Sequence, residues 1–158
     1  MPRLLVLCGI PGSGKSTLRN KIIKDNPSIK YVSRDEIRFS LVKENEEYFS
    51  KEKEVIKIFY ETISKLLKDG YDVIADATHG SVSGRKDLLT HVFGYDKVYA
   101  FILDTPSSIC LKHNELRKGT RAYVPREVIR RMSNQFIYPD FSEGFDGISF
   151  IKYRKEEV

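Results

Sequence analysis

Long apolar runs are missing from this chain. The longest near its start, Leu4 to Cys8, spans five residues, about a quarter of what a membrane-crossing helix needs, and it is also short for the core of a secretory signal. The chain is therefore expected to stay in the cytoplasm, with no membrane partner. Cysteine is scarce too: Cys8 and Cys110 stand far apart in apolar surroundings, without metal or redox spacing, and read as two reduced core residues. The three histidines, His79, His91 and His113, form no closely spaced pair, which argues against a zinc site. No internal repeat, linker or low-complexity tract interrupts the sequence. A single domain over residues 1–158 is expected, large enough to bury a core, with 154–158 as a frayed tail.

What the chain does have is basic charge in one place. Residues 112–131 carry seven lysines and arginines against Glu115 and Glu127, which accounts for the whole net charge of +5. Such a segment can meet a triphosphate, a nucleic-acid backbone, or both.

Apolar or β-branched runs bounded by turn signals predict strands at 3–8, 30–33, 72–75, 97–103 and 148–152. Helical patterns lie between them: 17–24, a long one over 46–68, another over 85–92, one opening at Pro106 with Asp104 or Thr105 as cap, and one over 125–138. In the long helix, Val55, Ile56, Phe59, Ile63, Leu66 and Leu67 recur at helical spacing and form a core stripe that Gly70 ends. Strands alternating with helices predict an α/β fold, a parallel five-stranded sheet covered on both faces.

The first strand runs into Gly9-Ile10-Pro11-Gly12-Ser13-Gly14-Lys15-Ser16, which fits the phosphate-loop pattern G-x-x-x-x-G-K-[ST]. Backbone N–H groups converging at a helix N-terminus hold phosphate oxygens best, and side chains would block that approach. The pattern thus predicts a site for ATP, with Gly12, Ser13, Gly14, Lys15, Ser16 and Thr17 lining it. Lys15 reaches the β and γ phosphates and the Ser16 hydroxyl ligates Mg²⁺.

Three further groups can carry chemistry. Ser33-Arg34-Asp35-Glu36-Ile37-Arg38 follows the second strand, at the sheet edge where open α/β sheets place ligands. Ser33 and Glu36 read as a capping box, while Asp35 and Arg38, three apart, share a helix face. A carboxylate able to take a proton, beside a guanidinium able to hold an anion, is what a phosphoryl acceptor needs. Two strands end in aspartate; Asp104 reads as a helix start, whereas Asp76 leads into Ala77-Thr78-His79-Gly80, which no regular element explains, and is the better Mg²⁺ support. In the basic segment, Arg117 and Arg121 flank Gly119 and can swing over the phosphates. Arg126, Arg130 and Arg131 read as a solvated helix face.

Taken together, the loop, the Ser33–Arg38 segment, Asp76-Ala77-Thr78-His79, and Asn114-Glu115-Leu116-Arg117-Lys118-Gly119-Thr120 leading to Val124-Pro125 resemble the kinase domain of phage-type polynucleotide 5′-kinases. The resemblance covers about residues 3–138 and implies a P-loop kinase fold with an arginine-rich lid at 112–131. It implies Asp35 as general base on a 5′-hydroxyl, Arg38 as ligand to an acceptor phosphate, and Arg117 as lid arginine, with Lys15 and Ser16 on the donor. His79 stands where the family usually has asparagine, and His113 where a basic lid residue is expected. The phosphatase domain of the bifunctional members is absent from the sequence.

The expected function is transfer of the γ-phosphoryl of ATP to the 5′-hydroxyl end of DNA or RNA. Two alternatives stand beside it: a kinase of a small acceptor, such as a nucleoside, a nucleotide or another metabolite, and a nucleotide-binding switch with little catalysis. DNA and RNA, single strands and duplex ends, and every oligomeric state remain open on the sequence.

Overall fold

The computed structural model describes residues 1–153, so the expected tail at 154–158 lies outside it. Five strands form one sheet: β1 (Arg3–Cys8), β2 (Lys30–Ser33), β3 (Val73–Asp76), β4 (Lys97–Asp104) and β5 (Gly147–Lys152). Their order is β2-β3-β1-β4-β5 and every pairing is parallel. Central β1 is buried from Leu4 to Cys8, as a continuous apolar run in a covered sheet should be. All C-terminal strand ends fall on one edge.

Helices α1 (Lys15–Asp25), α2 (Arg34–Leu41), α3 (Glu52–Lys68), α4 (Val82–His91), α5 (Ser107–Glu115) and α6 (Arg126–Gln135) complete the fold. On one sheet face, Leu4, Val6 and Cys8 meet Phe59, Ile63 and Leu67 of α3 and Leu88 of α4. The opposite face, with Leu5, Leu7 and Ile74, is covered by Leu18, Ile22 and Ile23 of α1. The predicted stripe of α3 holds: Val55, Phe59, Ile63 and Leu67 are buried, and Ile56 and Leu66 pack at the margin. Each buried side chain of this kind contributes roughly 1.5–3 kcal/mol. Both cysteines are buried and free, and burial pushes the Cys8 thiol up to about 12.

Several boundaries differ from expectation, each for a local reason. The long helix starts at Glu52 rather than 46, because residues 43–51 fold as successive turns, tied back by Lys51 Nζ donating to the Leu41 carbonyl at 2.9 Å. Helix α4 begins earlier than expected, capped by Ser81, whose Oγ accepts from Gly84 N. Neither Asp104 nor Thr105 caps α5: Pro106 holds the cap position, Asp104 accepts from the Tyr138 hydroxyl, and Thr105 turns to the phosphate loop. Only half of the capping box forms. Ser33 Oγ accepts from Glu36 N, but the Glu36 carboxylate takes the Tyr31 hydroxyl. Helix α6 is shorter at both ends, with Pro125 as its N-cap.

Candidate active site

The loop between β1 and α1 is a ready-made anion cradle. Gly12 and Gly14 adopt φ of +84° and +99°, where side chains are strained, and a Cβ on Gly12 would stand 2.4 Å from the Cys110 carbonyl oxygen. Gly14 caps α1 with no side-chain hydrogen bond, and the first turn holds no acidic residue, so the helix N-terminus keeps its donors and its field for an anion. The Ser13 hydroxyl is buried without a partner, an orphan that a phosphate oxygen would satisfy. Two side chains from the β4–α5 region fasten the loop's carbonyls. Thr105 Oγ1 donates to Ser13 O at 2.8 Å, and His113 Nδ1 lies 2.8 Å from Gly12 O. Turning these carbonyls this way leaves the N–H groups of Gly12, Gly14, Lys15 and Ser16 for a ligand, while that of Ser13 donates to the Ile10 carbonyl. His113, which stands where the resemblance puts a basic lid residue, is thus a support of the loop.

Lys15 closes the cradle, its Nζ donating to Gly9 O at 2.7 Å and Ile10 O at 3.2 Å. Burial lowers its pKa, the carboxylates of Asp76 and Asp35 pull it back up, and Arg117 pushes it down. That set of influences means that loop lysine, strand-end aspartate, α2 aspartate and lid arginine share one electrostatic neighbourhood. Ser16 and Thr17 lie exposed on the first turn of α1.

Asp76 ends β3 and is buried. Arg19 of α1, itself stacked 4.1 Å from the Tyr31 ring centre, donates to Asp76 Oδ2 at 2.8 Å. Burial raises the Asp76 carboxyl above its ordinary range, against the pull of Lys15 and Arg19. Among the described residues no group of three or more His, Cys, Asp or Glu could hold a metal ion. Ser16 at the phosphate cradle and the neighbouring Asp76 nevertheless fit Mg²⁺ carried in on phosphate oxygens, since that ion needs few protein ligands.

At the start of α2 the Asp35 carboxylate is largely open, with 64% of its side chain exposed, while Arg38 beneath it is buried at 6%. Arg38 is more heavily engaged than its spacing implied. Its Nη1 donates to Asp35 Oδ1 at 2.5 Å and to the Tyr48 hydroxyl at 3.1 Å, while Nε and Nη2 grip both oxygens of Glu52. One of its five donors is left. Glu52 and Tyr48 escaped the sequence reading because the loop that brings them home looked like helix.

The lid is anchored at both ends. Buried Asn114 donates from Nδ2 to Val124 O at 2.6 Å and accepts from Val124 N at 3.0 Å, closing the segment between them. Arg117 is half-buried, and its charge lowers the Lys15 pKa. Arg121 departs from expectation: its guanidinium donates to the carbonyls of Phe39 and Val42 and lies 4.9 Å from the Phe39 ring centre, so it latches the lid to α2 instead of reaching the phosphates. Carbonyls at the end of a helix lack intrahelical partners and attract a cation, which explains the preference.

His79 also turns inward. It holds φ of +46°, its Nδ1–H donates to Leu7 O at 2.7 Å, and its Nε2 is buried without a partner. Burial and the nearby Arg34 drop its pKa to about 3, so it is a neutral structural residue rather than an acceptor contact. Behind it, fully buried Arg85 ties the His79 and Ile137 carbonyls to Glu143. A lone arginine in a helix pattern carries no sign of such a role.

Comparison with known proteins agrees with this fold. A family model described as an AAA domain matches residues 4–139. A chain in the solved structure of the Pnkp1/Rnl/Hen1 RNA repair complex superposes with a TM-score of 0.75 at 27% identity, over 85% of this chain and 43% of that one. This chain therefore spans less than half the length of that protein. A fungal RNA kinase superposes at 0.70 with 17% identity, over 99% and 76% of the two chains. A gluconokinase from Sinorhizobium meliloti superposes at 0.64 with 17% identity, over 98% and 85%. The last two share the fold.

Proposed function

This chain belongs to the AAA domain family, and from that premise we propose that it is an ATP-dependent kinase acting on the 5′-hydroxyl end of DNA or RNA. The observation that carries the reading is the open Asp35 carboxylate, held by buried Arg38 and close enough to Lys15 to shift its titration. A nucleotide switch has no use for such a pair. The likeness to a chain of an RNA repair complex supports a nucleic-acid acceptor over a small one.

In this reading Asp35 takes the proton of the incoming hydroxyl as its oxygen bonds to the γ-phosphorus and the bond to the β-phosphate oxygen breaks, releasing ADP. Lys15 and Arg117 offset the charge that builds on the transferred group. Ser16, supported by Asp76, would hold Mg²⁺, which supplies charge neutralisation between the β and γ phosphates. The last free donor of Arg38 and its charge face the first phosphate of the acceptor strand.

The test is transfer of labelled γ-phosphate to a short 5′-OH oligonucleotide, to the same strand already 5′-phosphorylated, and to free nucleoside and gluconate. Label on the 5′-OH strand alone, weakening as salt rises, is the expected result. Label on a small acceptor alone overturns the reading in favour of a metabolite kinase. Tight ATP binding with no product at all overturns it in favour of a switch.

A further inference from the structure

Resting on the acceptor reading above, we propose that Phe49, braced edge to face by Tyr48, forms a stacking face for the nucleobase that follows the first phosphate of the acceptor strand. Phe49 is 57% exposed and Tyr48 38%, although the loop that carries them is tied down by turns and by Lys51. The two rings meet edge to face with centres 4.7 Å apart, and Tyr48 in turn meets Phe39 at 6.3 Å.

Their placement follows the order of a strand. The Tyr48 hydroxyl lies 3.3 Å from Asp35 Oδ1 and accepts from Arg38, whose guanidinium carbon is 4.8 Å from the Tyr48 ring centre and 5.4 Å from that of Phe49. Asp35, Arg38 and Phe49 thus succeed one another as hydroxyl, phosphate and next base do. Charge selects the occupant. The loop carries Glu44, Glu46 and Glu47 against Lys43 and Lys51, a small negative excess that favours an uncharged ring over a second phosphate. Every base has a face to stack, so the platform distinguishes a strand from a single nucleoside without reading sequence.

The experiment compares a 5′-OH oligonucleotide, the same strand with an abasic second position, and a nucleoside 3′-phosphate, which has the phosphate and lacks the second base. In the unaltered protein, kcat/KM for the intact strand should exceed that for either truncated acceptor by about ten-fold or more, through KM. Phe49→Ala should collapse that ratio, and Phe49→Trp should restore it. Equal kcat/KM for the intact and abasic strands, or a Phe49→Ala loss shared equally by all three acceptors, overturns the stacking face while the acceptor reading stands. No transfer to any of the three in the unaltered protein overturns both.

Discussion

The phosphate loop, proposed to hold the donor, and the Asp35 corner, proposed to hold the acceptor, sit on the same sheet edge and are built in opposite ways. The donor loop offers backbone: glycines at positive φ, a helix end without acidic residues, and carbonyls fastened by Thr105 and His113. The acceptor corner offers side chains: Asp35, Arg38, Glu52 and Tyr48, joined from α2, α3 and an irregular loop. Backbone can recognise what all triphosphates share, whereas side chains can be exchanged to suit one acceptor. Generic chemistry and selective chemistry are thereby separated within a few residues of Lys15.

Breaking the donor side should have the largest effect. Lys15→Ala is expected to reduce γ-phosphate transfer by about 10³-fold, equally for every acceptor assayed; an unequal loss would give Lys15 a part in acceptor choice. Asp35→Ala should lower kcat by about 10²-fold and leave ATP affinity, measured by calorimetry, as it was. Unchanged turnover would remove Asp35 from the mechanism.

Glu52→Gln sharpens the contrast, because it touches neither ATP nor the transferred group. Loosening Arg38 should cost about ten-fold in acceptor kcat/KM, the value of one charged hydrogen bond, with the KM for ATP constant. A matching rise in the ATP KM would show that the two sides are not separable. At neutral pH, where its ring is almost uncharged in both the folded and the unfolded chain, the smallest effect belongs to His79. Folded, it stays neutral down to about pH 3, while the unfolded chain takes up its proton near 6.5. Stability should therefore fall as pH drops below 6.5, by at most about 1.4 kcal/mol per pH unit until the folded pKa is reached. His79→Asn should flatten that slope in chemical denaturation curves; parallel curves would mean that the ring is protonated in place.

The same contrast explains what could be read in advance. The donor loop was legible because a backbone site demands particular residues at fixed spacing, and the alternation of strands and helices followed from periods of two and 3.6. Asp35 and Arg38 were legible because they sit one helical step apart. Glu52, Tyr48, Thr105 and Arg19 were not, since each acts across a long stretch of chain on a partner that only the folded sheet edge brings near. The expected start of α3 lay six residues too early, because residues 46–51 contain no glycine or proline to mark the turns they form.

Arg121 holds the lid to α2 through the main-chain carbonyls of Phe39 and Val42, groups that every amino acid supplies. The hydrogen bonds of the latch are therefore indifferent to side-chain changes at those positions, and only its stacking on the Phe39 ring depends on one. On the proposed function, side chains of the acceptor corner can change, and substrate with them, while Arg121 keeps the lid seated on α2. A fold built this way can pass from one acceptor to another without first losing its grip on ATP.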